Sequence, residues 1–191
     1  FTSDHGEMLG DHYFWRKSQP YEGAARIPLL INAPKRFGIT PRTVIDAPVG
    51  LEDIMPTVLE LAGVDCPESV DGKSLMPLLR GDAGARAEWR PYIHIEHAPR
   101  FHALTDGREK YIWQVTDGQE QFFDLQDDPH ELHDLGRDPA AQERISGWRR
   151  AMVDKLADRP EGFSDGEKLI AGRPYSPVMP RAAPESAKAD A

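Results

Sequence analysis

The sequence predicts an α/β chain: the end of a layered α/β unit, followed by a small α+β unit with a four-stranded antiparallel sheet. Three observations carry this. Residues 27–33 (IPLLINA) are a continuous apolar run between turn signals, which suits a strand covered on both faces of a parallel or mixed sheet. Residues 51–62 then follow a helical pattern. Beyond residue 90 the period changes, and short β-prone runs recur about ten residues apart.

The apolar run at 27–33 stops at Pro34 and Gly38, and residues 43–49 suit a short further strand or edge segment. In 51–62, Leu51, Ile54, Val58 and Leu61 share one face. Glu52, Asp53 and Pro56 suit the first turn, and Gly63 ends the helix. Residues 71–81 (DGKSLMPLLRG) read as one or two helical turns packing Leu75, Leu78 and Leu79. Residues 82–90 are polar and rich in Ala, Gly and Arg, as in a linker. Strands are then expected at 92–96, 101–105, 110–115 and 121–125, with Gly107 and Asp117-Gly118 at the turns. Asp138 and Pro139 are the N-cap and first residue of a helix that ends by Arg159-Pro160. Its stripe of Ile145, Trp148, Met152 and Leu156 is expected to cover one face of the small sheet. The expected organisation is therefore 1–81 for the α/β part, 82–90 as linker, 91–158 for the α+β unit and 159–191 as an extended tail. The last ten or so residues of that tail, Ala-rich and preceded by prolines, are expected to be disordered.

A net charge of −9 with no basic run argues against nucleic acid as a partner. No apolar run approaches the ~18 residues of a membrane span, so we expect no membrane insertion and a soluble protein, cytoplasmic or periplasmic. The single cysteine, Cys66, excludes an internal disulfide and reads as a small, partly buried residue. The sequence opens without Met or a signal-peptide pattern, in the middle of a chemistry-bearing stretch. We therefore expect a C-terminal portion of a longer protein, completed by an upstream segment or a partner chain.

That stretch is residues 1–28, FTSDHGEMLGDHYFWRKSQPYEGAARIP. Asp4 and His5 put a carboxylate beside an imidazole, a pair suited to a divalent cation that holds an anionic oxygen. Gly6 allows a sharp bend that turns both side chains to one point. Lys17 offers a compact positive charge for a sulfate or phosphate oxygen. His12 either lines the anion pocket or hydrogen-bonds a ligand. His97 either touches substrate or donates a proton to the leaving group, or makes a surface or interdomain hydrogen bond. His130 and His133, in an acidic loop, are expected to be solvated.

Taken together, TSDHGE, LGDH, Lys17, YEG and RIP in this stretch resemble the type I sulfatases of the alkaline phosphatase superfamily. So do DGKSLMPLLRG at 71–81 and DLQDDPHELHDL at 124–135. The resemblance covers about residues 1–158 and implies the C-terminal part of an alkaline-phosphatase-like α/β sandwich plus its small subdomain. It implies a sulfuric ester hydrolase, arylsulfatase-like, with Asp4 and His5 as metal ligands and Lys17 as the sulfate-binding catalytic residue. His12 is the second catalytic candidate and His97 a substrate contact. The implied cofactor is a divalent metal, Ca²⁺ favoured over Mn²⁺, and the substrate a sulfate ester. The formylglycine nucleophile of that family is made in a C/S-x-P-S-R motif, which the string CPESV at 66–70 does not match. It is therefore expected outside this chain. Two readings stay open beside this one: a phosphonate or phosphate ester hydrolase of the same superfamily, and a non-catalytic fragment.

Overall fold

The structure, a computed structural model, describes residues 1–97 and 100–174. Its centre is an antiparallel sheet of four strands in sequence order: β1 (Ile93–His97), β2 (Phe101–Thr105), β3 (Glu109–Gln114) and β4 (Glu120–Asp124). The expected strands lie within a residue or two of these. The β3–β4 turn uses Gly118 at φ 74°, a conformation that side chains with a Cβ resist. The register pairs Glu96 with His102 and Ala103 with Ile112.

Alternation along the strands produces two cores. On one face Leu104, Tyr111, Trp113 and Phe122 meet Ile145, Met152 and Leu156 of the long helix, with Trp148 partly buried against them. The expected stripe is therefore the covering face. A 3₁₀ turn at Pro139–Ala141, capped by the Asp138 carboxylate accepting from Ala140 N at 2.9 Å, starts this helix. On the other face Phe101, Ala103, Ile112 and Phe123 meet Met8, Tyr21 and Ala24. The N-terminal stretch is thus packed directly onto the small sheet.

The helices are α1 (Glu22–Ala25), α2 (Ile54–Ala62), α3 (Met76–Arg80) and α4 (Gln142–Leu156). α2 follows a 3₁₀ turn at Leu51–Asp53, and Gly63 closes it in the left-handed region as expected. Of the expected stripe Leu51 and Val58 are exposed, at 44% and 57%, while Ile54 and Leu61 are half-buried; Met55 beside it is 51% exposed. The buried residues of this region are Asp53, Pro56 and Thr57.

Three expectations fail. Residues 27–33 form no strand; a single bridge joins Leu29 to Thr2, and Leu30 is exposed. Residues 43–49 form no strand either, and Val44 is exposed. A strand needs a neighbour to satisfy its backbone groups, and the described residues offer 27–33 only the first few positions of the chain. Cys66 is exposed, not partly buried. The tail beyond residue 174 lies outside the described residues. Among the described residues no helix is long and apolar enough to cross a membrane.

Residues 82–90 carry turns and bring Trp89 and Arg90 back onto the α2 region. Trp89 Nε1 donates to Pro48 O at 2.8 Å. Arg90 grips fully buried Asp53 through both terminal nitrogens, at 2.6 and 2.8 Å. Asp53 also accepts from the backbone N–H groups of Gly50 and Lys73. One carboxylate thus ties together the α2 start, the 71–81 string and the approach to β1.

Candidate active site

Residues 1–8 run beside 23–30. Gly6 N donates to Ala24 O and Glu7 N to Gly23 O, each at 2.8 Å. This explains Gly6 differently from the sharp bend expected: a Cβ there would sit 2.1 Å from the Gly23 carbonyl oxygen. Glycine is required by close approach of two backbones.

The next loop folds back on itself, with Met8 N donating to Arg16 O and Gly10 N to Phe14 O. Leu9, His12, Tyr13, Arg16 and Ser18 all have positive φ. Such residues persist only where surrounding contacts over-determine them, and they cluster at ligand-holding loops.

Pro20 to Glu22 anchor the end of this loop. Lys110, fully buried on β3, donates to Pro20 O at 2.8 Å, Glu22 Oε1 at 2.8 Å and Glu131 Oε1 at 2.7 Å. Glu131 Oε2 in turn accepts from Glu22 N at 2.6 Å. Burial pushes the Glu131 carboxyl up, while the Lys110 ammonium pulls it back toward the ionised form. A buried cation held by two carboxylates and a carbonyl is fully satisfied. It locks the loop that carries Lys17 to the sheet.

A cleft of about 740 Å³ opens between this loop, the 46–52 segment and the β1 edge with the β2–β3 turn. It brings Asp4, His5, Lys17 and His97 to one space. His5 Nδ1 lies 2.7 Å from Gly6 O and donates to that carbonyl, which fixes the ring and turns Nε2 toward Asp4. That Nε2 lies 3.6 Å from Asp4 Oδ2. Fixing a ligating imidazole through its other nitrogen is the usual arrangement around metal ions.

The other carboxylates of the cleft are already engaged. Glu22 holds Lys110, Asp46 meets Arg86, Glu52 meets Arg90 and Glu96 meets Arg159. Asp106 accepts from two backbone N–H groups of the turn. Among the described residues this leaves Asp4 as the cleft carboxylate facing only His5. The donor set fits a divalent cation: an exposed carboxylate stands beside an imidazole that is fixed through its other nitrogen. Two ligands make an incomplete shell. Lys17, exposed on the cleft wall, has no ion pair among the described residues and is free to meet an anion.

His97 lines the same cleft, with its ring 6.0 Å from that of Phe101. Its Nδ1 is buried and has no hydrogen-bond partner among the described residues. His12 stands apart from the cleft lining. It stacks on Tyr21 at 4.1 Å and 4°, and its Nε2 lies 3.1 Å from His130 O. His130 and His133 are exposed. Cys66 is not among the lining residues.

A profile of the N-sulphoglucosamine sulphohydrolase C-terminal family matches residues 10–158. The chain belongs to this sulfatase family. An arylsulfatase of Clostridium perfringens is 41% identical over 92% of this chain and 37% of its own length. A structure solved in complex with its substrate D-glucosamine-2-N,6-O-disulfate superimposes with a TM-score of 0.67 at 26% identity, over 81% of this chain and 33% of that one. A phosphonate monoester hydrolase of Silicibacter pomeroyi gives a TM-score of 0.68 at 32% identity, over 81% and 33%. The chain thus spans roughly a third of the length of such relatives, and its fold is that of the C-terminal portion of a type I sulfatase.

Sequence reasoning did not see two features of this sulfatase region. The Lys110 clamp was legible in principle, because Lys110 shares a strand face with Ile112 and points into a core. The Asp53–Arg90 pair was not, since nothing in sequence joins positions 37 residues apart.

Proposed function

We propose that this chain supplies the charge-stabilising part of a sulfuric ester hydrolase. The observation that carries the reading is the convergence of Asp4, His5 and Lys17 on one cleft, with the other cleft carboxylates engaged elsewhere. In this reading Asp4 and His5 Nε2 hold a divalent cation, Ca²⁺ or Mn²⁺. When bound, that ion supplies Lewis-acid neutralisation of a sulfate oxygen. Lys17 sets its ammonium against another non-bridging oxygen and stabilises the charge that builds there. His97, on the cleft wall at the end of β1, touches the ester near its leaving group. The nucleophile, formylglycine in the resembling family, and the remaining metal ligands come from an upstream segment or a partner chain.

A second reading, phosphonate or phosphate ester hydrolysis, is favoured by the likeness to the phosphonate monoester hydrolase. A cation and a lysine neutralise phosphoryl and sulfuryl oxygens alike. The test is kinetics on the complete enzyme with aryl sulfate and phosphonate monoester substrates side by side. Lys17→Ala is expected to cost about 2–4 kcal/mol in kcat/KM on the preferred ester, and Lys17→Arg to restore it only in part, because the planar fork reaches differently. Unchanged turnover in a folded Lys17→Ala enzyme would remove Lys17 from the mechanism.

A further inference from the structure

The sheet face that meets α4 carries a polar cluster at its β1 end that the cleft chemistry does not use. His94 and Glu96 alternate on β1, and His102 faces Glu96 across the β1–β2 register. His94 Nε2 lies 3.0 Å from His102 Nδ1, and His102 Nδ1 lies 3.4 Å from Glu96 Oε2. The three ligand atoms all fall within 4.8 Å of one another.

We propose that His94, Glu96 and His102 form a second cation site, distinct from Asp4 and His5, that takes a transition-metal ion of the Zn²⁺ type. Around a tetrahedral ion with bonds of about 2.0–2.1 Å, ligand atoms lie about 3.3 Å apart. The separations of 3.0 and 3.4 Å lie close to that edge, and the third is within 4.8 Å. Two imidazoles and one carboxylate favour zinc, cobalt or nickel over calcium, which prefers oxygen. Both rings are held neutral at pH 7, because burial lowers His94 to about 3 and His102 to about 4. Binding therefore needs no net deprotonation. The proton between the rings moves to a ring's other nitrogen, and both lone pairs turn to the ion.

The strands fix the donors in advance, and His102 is buried against Trp113 and Phe163. Glu96 is 41% exposed and leaves an entry path. Arg159 now holds Glu96 at 2.6 Å, but it also holds Glu161 at 2.6 Å. Glu161 keeps the guanidinium paired when Glu96 turns to a cation. A water completes a four-coordinate shell.

Co²⁺ titration of the 191-residue chain, followed by visible absorption, tests this. A tetrahedral cobalt band saturating at one equivalent is expected. It should persist in Asp4→Asn and His5→Gln, and should vanish in His94→Gln and in Glu96→Gln. Glu96→Gln sits at a half-exposed edge position and guards against a folding artefact, with circular dichroism confirming the fold. No band in the native chain, or a band that survives both cluster substitutions, overturns the site. A band lost on Asp4→Asn and kept in His94→Gln also overturns it, and would place the ion on Asp4 and His5. Failure of the sulfatase reading, by contrast, would show in ester turnover and leave the cobalt result unmoved.

Discussion

Asp4 is set apart by what its neighbours leave undone. The other cleft carboxylates meet an arginine, a lysine or two backbone N–H groups, while Asp4 meets only His5, whose ring is fixed by Nδ1 donating to Gly6 O. Calorimetric Ca²⁺ or Mn²⁺ titration of the complete enzyme should therefore lose the ion on Asp4→Ala, and unchanged affinity would sink the assignment. Lys110 makes the opposite case, a charge with every proton placed. Replacing it by Met strands Glu131, which has nowhere to relax, and breaking one partner of a buried pair costs about 3–5 kcal/mol. Urea unfolding of Lys110→Met should show a loss on that scale, and Lys110→Met combined with Glu131→Gln a smaller one. A single substitution costing under about 1 kcal/mol would mean that water reaches the site. These two residues also show what sequence reading can see. Asp4 and His5 are adjacent in the chain, so their chemistry is local. Lys110, Glu22 and Glu131 meet across more than 80 residues in one case and 21 in another, and only the packing of α1 and the 131 loop onto β3 brings them together.

Among the elements, the small sheet was legible because period-two alternation and Asp-Gly turns are local signals, and both faces found cover within the described chain. Residues 27–33 were misread because an apolar run reports a need for cover and cannot report whether a partner strand is present. The same reasoning separates α4 from α2. Met152 is fully buried against the sheet, so Met152→Ala should cost about 2–5 kcal/mol. Val58 on α2 is exposed, and Val58→Ala should stay within about 0.5 kcal/mol. The β1–β2 pair carries a pH dependence. His94 and His102 face Glu96, Arg159, Glu161 and Lys155, with burial the largest influence on both, and their values fall from 6.5 to about 3 and about 4. The unfolded chain therefore binds protons near pH 6.5 that the folded chain refuses. The stability associated with these groups is whole above pH 6.5 and is lost as pH falls toward 4 and then 3. Between pH 6.5 and 5 each histidine contributes a slope of up to ~1.4 kcal/mol per pH unit. Urea midpoints measured at pH 7 and 5 should drop for the native chain and drop less for His102→Gln. Equal drops would assign the slope to other groups.

Across the whole molecule, cover is uneven. The sheet has α4 on one face and the 8–24 stretch on the other, so residues from both halves of the sequence share its cores. The segment between them is held by polar ties, Asp53 to Arg90 above all, and by buried Leu75, Met76 and Leu78, while Leu30, Val44, Leu51, Met55 and Val58 stay exposed. Free energy of local opening follows buried apolar contact. Amides of Tyr111, Ile112 and Trp113 should then exchange only with global unfolding, while those of α2 exchange through cheaper local openings. The anchoring of 8–24 on the second core adds a finer expectation: Met8 and Ala24, whose amide groups bond Arg16 and Tyr21, should be protected closer to the level of β3 than to that of α2. Hydrogen exchange of the monomeric 191-residue chain resolves the three groups directly. Uniform high protection through α2 would show that the middle segment is held as firmly as the sheet despite its exposed apolar side chains. Protection of β3 with fast exchange at both Met8 and α2 would instead mean that the loop carrying Lys17 is not fixed by the sheet, and the role given to the Lys110 clamp would fall.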